Sequence, residues 1–115
     1  MVFDVKQDGV SFKVLVKCNI PEDKQRKVLT YLNLVNCIMK EGHMEMREDG
    51  MVQYRIYTDM IEQQDISEYR LLMFMAKGMA AIHDFREGMC RVAIGEAEPD
   101  EAFDEAIEET LRHSA

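Results

Sequence analysis

The chain has 115 residues, 47% apolar and 31% charged, which is the make-up of one ordinary globular domain and not of a disordered segment. Its net charge of −8 is uneven: residues 96–115 hold eight acids against Arg112 alone, whereas residues 1–95 are nearly neutral, with 14 acids and 13 bases. An acidic chain with no cluster of Lys and Arg argues against a nucleic-acid partner, and a solvated acidic helix or a basic protein surface suits the tail better.

The N-terminus opens on two strand patterns. Phe3 and Val5 alternate with Asp4 and Lys6, Asp8-Gly9 offers a tight turn, and Val10, Phe12, Val14, Val16 and Cys18 then share one face. Ser11, Lys13, Leu15 and Lys17 share the other. Pro21 with Glu22 and Asp23 marks a helix start. Val28, Tyr31, Leu32, Val35, Ile38 and Met39 form its apolar stripe, and Gly42 is read as its end. A second hairpin follows, with Met44 and Met46 before an Asp49-Gly50 turn and Val52, Tyr54 and Ile56 after it, alternating with Gln53, Arg55 and Tyr57.

Asp65-Ile66-Ser67-Glu68 reads as a capping box that starts a long helix. Leu71, Phe74, Met75, Gly78, Ile82, Phe85 and Met89 line its main face, and Leu72, Met79 and Cys90 form a second apolar line beside it. Gly88 and Gly95 are candidate stops. Pro99-Asp100-Glu101 opens a last helix with a narrow stripe of Phe103, Ile107 and Leu111. These elements predict an α+β fold: an antiparallel sheet of about four strands in two hairpins, in the order ββα-ββα-α, with helices on one face. Residues 1–95 form the domain, and residues 96–115 an acidic C-terminal helix. The opposite sheet face, mixed in character, is expected to be wet.

Candidate chemistry is thin. The most apolar stretch, Leu71 to Ile82, is 12 residues long with Lys77 inside it, short of the roughly 20 a membrane span needs. The N-terminus has no signal-peptide pattern, and Cys18, Cys37 and Cys90 form no Cys-x-x-Cys pair, so reduced thiols in a cytoplasm are expected. His43 and Glu45 share a strand face but supply two ligands where structural zinc takes four. His83 beside Asp84 is read as surface polarity, and His113 as part of a frayed tail. No catalytic residue, metal site or cofactor is expected, and an enzyme built on His43 with Glu45 lacks a nucleophile constellation.

Ten methionines are the one compositional oddity. Met60, Met73, Met75, Met79 and Met89 cluster around the long helix. Met75 and Met89 fall on the core stripe, whereas Met73 and Met79 suit an adaptable contact surface.

The run from Asn19 through Pro21 to Leu32-Asn33-Leu34-Val35-Asn36, followed by Met44 to Arg55 and a long apolar helix, resembles the YbjN-type bacterial sensory-transduction-regulator family. The resemblance covers roughly residues 3–90. It implies a fold like the class I chaperones of type III secretion, often dimeric and binding extended segments of a client, with no catalytic residues to transfer. Asn33 and Asn36 match the family motif and imply a capping or bridging role. Relatives usually carry a helix and a further strand ahead of the first hairpin; without them, apolar surface is left that a second copy could bury. The expectation is therefore a non-enzymatic chaperone-like or regulatory homodimer that binds a partner polypeptide, with Leu15, Tyr57, Leu72, Met73 and Met79 as contacts. The alternative is a small-ligand sensor with a pocket between sheet and helices.

Overall fold

The computed structural model describes residues 2–6, 9–59 and 68–114. In chain order these form β1 (Val2–Lys6), β2 (Gly9–Val16), a 3-10 turn (Glu22–Lys24) leading into α1 (Gln25–Ile38), β3 (His43–Met46), β4 (Val52–Asp59), α2 (Glu68–Ala93) and α3 (Pro99–Ser114). The α+β class expected from the sequence is what is found. The capping box, Met60 and the Asp8 position of the first turn lie outside the described residues.

An antiparallel sheet and a helical layer make two storeys. Strands β2, β4 and β3 form the covered part of the sheet, and β1 pairs antiparallel along the outer side of β2. Because strand side chains alternate between faces, the register puts Phe12 opposite Ile56, Val14 opposite Tyr54 and Val16 opposite Val52, while Met44 meets Tyr54 from β3. All of these are buried. Each side chain so removed from water contributes about 1.5–3 kcal/mol. Helix α2 lies over β2 and β4, α1 leans on β3, and α3 packs on both α1 and α2.

Three close contacts set the helices. Gly78 brings α2 down on the sheet, where an added Cβ would stand 3.0 Å from the Phe12 ring and 3.2 Å from that of Tyr54. Gly88 does the same for α1: a Cβ there would stand 2.4 Å from the Tyr31 hydroxyl. Buried Tyr31 donates its hydroxyl to the Phe85 carbonyl at 2.8 Å, and burial, then the nearby Cys90 charge, push its pKa up. Gly88 is thus a docking notch inside α2 and not the stop its composition suggested. The stop is Gly95, at φ +83, where Glu96 N–H reaches the Arg91 carbonyl and Gly95 N–H that of Val92. That bond pair is the usual glycine-closed helix end.

Three other readings are corrected. Helix α1 ends at Ile38, because Met39 already takes an extended conformation, and Gly42 sits four residues later in the turn before β3. In α3 the buried positions are Pro99, Ala102 and Ala106; Phe103 and Ile107 are half-buried and pack against the core as read, whereas Leu111 is exposed. Helix α3 also continues to Ser114, so His113 lies on a helix and not in a frayed tail. The small alanines let α3 approach its neighbours closely, which an apolar-size count along the sequence overlooks.

Candidate contact surfaces

Every side chain read from the sequence as a contact is exposed: Leu15 is 42% exposed, Tyr57 49%, Leu72 56%, Met73 37% and Met79 51%. They do not form one patch. Leu72, Met79 and Arg86 recur every seven residues and so share one flank of α2. Arg86 donates to the Lys17 carbonyl at 2.6 Å, and Gly78 lies over Phe12, so α2 runs along β2 in the same direction. The Leu72–Met79 flank therefore faces the β1 side of the sheet, away from α1, which meets α2 at Gly88.

Tyr57 and Met73 come together elsewhere. With Tyr69, Arg70, Ile56, Lys77, Glu41 and Gly42 they line a groove of about 400 Å³ between β4, the turn before β3 and the first turns of α2, in which Lys77 donates to the Glu41 carboxylate. Tyr69, 70% exposed, is a contact candidate that the sequence reading passed over. Its signal was available, since Tyr69 and Met73 stand one helical turn apart. Leu15 is separate again, on the open sheet face opposite Gln53. That face is drier than its composition suggested: Ser11 and Gln53 are buried in the middle of the sheet, 4% and 9% exposed.

The two edges of the sheet differ. At β3 the Asn36 side chain, reaching from α1, accepts from Met44 N–H at 2.7 Å and donates to the Met44 carbonyl at 2.8 Å. Its amide acts as a one-residue strand and occupies the outward polar groups of Met44. Among the described residues, β1 makes its substantial contacts with β2.

The polar clusters stay small. On the open face His43 donates to Glu45 at 2.9 Å, Gln53 donates to the other Glu45 oxygen, and Arg55 stands 3.9 Å away. Burial raises the Glu45 pKa, but the His43 and Gln53 hydrogen bonds, with the His43 and Arg55 charges, outweigh it and leave the carboxyl below its ordinary value. His83 and Asp84 lie 3.6 Å apart with His83 almost fully solvated. Among the described residues no three His, Cys, Asp or Glu side chains converge as a metal-binding group, and no helix is long and apolar enough to cross a membrane.

Cys18 and Cys90, 72 positions apart, bring their sulfurs to 2.9 Å. Burial, then the hydrogen bond to Cys90, push the Cys18 thiol up to about 12, against a smaller lowering by Arg86. Comparison with known proteins finds no family model that matches the chain, and no curated protein or solved structure that matches it significantly.

Proposed function

We propose that this chain is a non-enzymatic protein-binding domain, chaperone-like or regulatory, which pairs with a second copy and holds a segment of a partner polypeptide. The observation that carries the reading is exposed apolar surface on α2: Leu72 and Met79 stand 56% and 51% exposed on one flank, and Tyr69 and Met73 stand 70% and 37% exposed beside the groove.

In this reading the Leu72–Met79 flank, on the β1 side of the sheet, meets the second copy. The Tyr57–Tyr69–Met73 groove takes an apolar side chain of the client. The finer layout, four strands in a ββα-ββα-α order disposed like a type III secretion chaperone and shared with YbjN-type regulators, belongs to the same proposal. So does a cytoplasmic setting.

The test is affinity capture from the source organism with the unaltered chain and a Tyr57→Ala/Met73→Ala variant. A protein retained by the first and lost from the second supports the client groove. Identical retention by both contradicts it. A second reading, a small-ligand sensor, rests on the same groove, and a small molecule carried through purification and seen in native mass spectrometry favours it.

A further inference from the structure

The sequence offers no Cys-x-x-Cys motif, yet the fold joins two thiols from opposite ends of the domain. Cys18 follows β2, Cys90 lies near the end of α2, and their sulfurs stand 2.9 Å apart. A disulfide needs about 2.05 Å, so an approach of under about 1 Å closes the bond. Arg86, one turn before Cys90, donates to the carbonyl of Lys17, the residue before Cys18, at 2.6 Å and holds the two segments in line. Both thiols are half-buried, and Cys18 opens on a surface hollow of about 290 Å³ lined by Lys17, Asn19, Ile20 and Asp49, wide enough for a peroxide. Cys37 is exposed, and none of these contacts involves it.

We propose that Cys18 and Cys90 are an oxidation-sensitive pair, joined by a peroxide into an intramolecular disulfide that locks α2 to the end of β2. One sulfur of the pair, as thiolate, attacks first. It takes one oxygen from hydrogen peroxide: the O–O bond breaks, that cysteine becomes a sulfenic acid and hydroxide leaves. The other sulfur then attacks the sulfenic sulfur. The S–S bond forms, the S–O bond breaks, and the departing hydroxide takes the second thiol's proton as water. The first hydroxide takes up the proton that the first thiol released. Two thiols are oxidised by two electrons, and one peroxide becomes two waters. The bond closes a loop of more than 70 residues, which restricts the unfolded chain far more than the folded one. α2, which carries both the Leu72–Met79 flank and the Met73 side of the groove, is thereby fixed on the sheet without a change in either surface.

The test treats the full chain with hydrogen peroxide, blocks remaining thiols, and maps peptides without reductant. The expected result is a mass loss of two hydrogens, a Cys18–Cys90 linked peptide within a single chain, and a free, alkylated Cys37. The melting temperature rises by on the order of 10 °C and returns after dithiothreitol. The Cys37→Ser variant behaves identically, whereas Cys18→Ser and Cys90→Ser show no rise. Oxidation that consumes Cys37 first, or that takes Cys18 or Cys90 to sulfinic acid with no linked peptide, overturns the proposal. The unaltered chain and Cys37→Ser suffice to decide it should the other two variants not fold.

Discussion

Asn36 shows how one side chain can settle the fate of a whole strand. Its amide saturates Met44 with a bond in each direction, so Asn36→Ala leaves two backbone groups to find water at the edge of the core. We expect a loss of about 1–2 kcal/mol in urea unfolding; a change below about 0.3 kcal/mol would mean that the bridge is ornamental. Gly88 is a second such residue. Gly88→Ala places a methyl against Tyr31 and is expected to cost about 1–3 kcal/mol. Tyr31→Phe removes the atom that the methyl would meet first, so the double variant should cost less than the sum of the two, with a coupling above about 0.5 kcal/mol. Strict additivity in the same denaturation series would place the strain elsewhere. Asn36 was singled out in the sequence only through a resemblance, and Gly88 was read as a helix stop, because nothing local tells a glycine that ends a helix from one that receives a tyrosine from another helix.

At the scale of elements, period was legible and neighbours were not. Alternation in Phe12-x-Val14-x-Val16 and Val52-x-Tyr54-x-Ile56 identified the buried sheet face correctly, since a strand has only two faces to choose between. Helix α3 went differently. Large apolar residues pointed to Phe103, Ile107 and Leu111; the first two do pack against the core, but the most buried side chains of that face are Ala102 and Ala106, and Leu111 is exposed. Close helix packing selects for small side chains, and an alanine carries little weight in an apolar count. The consequence is an inverted pattern of sensitivity. Ala102→Leu is expected to destabilise by about 1–3 kcal/mol through overpacking, and Leu111→Ala to change stability by no more than about 0.5 kcal/mol. Thermal melts that rank the two the other way would contradict the packing described for α3.

The whole molecule is broad and thin, 47 × 38 × 20 Å, as two layers dictate. A plate has more surface for its mass than a sphere, and here that surface carries Leu72 and Met79 on one flank of α2 and Tyr57, Tyr69 and Met73 around a groove. The exposure of Leu72, Met73 and Met79 was readable from helical spacing and that of Tyr57 from strand alternation; their division between two sites was not, because it depends on how α2 is rotated over β2. Pairing through the Leu72–Met79 flank would bury those two side chains. Static light scattering on an eluting size-exclusion peak at micromolar concentration tests this most directly. The unaltered chain should have twice the 13.4 kDa chain mass, and Leu72→Glu/Met79→Glu should have that of one chain. A strictly monomeric unaltered chain, or a dimer indifferent to both substitutions, would contradict it.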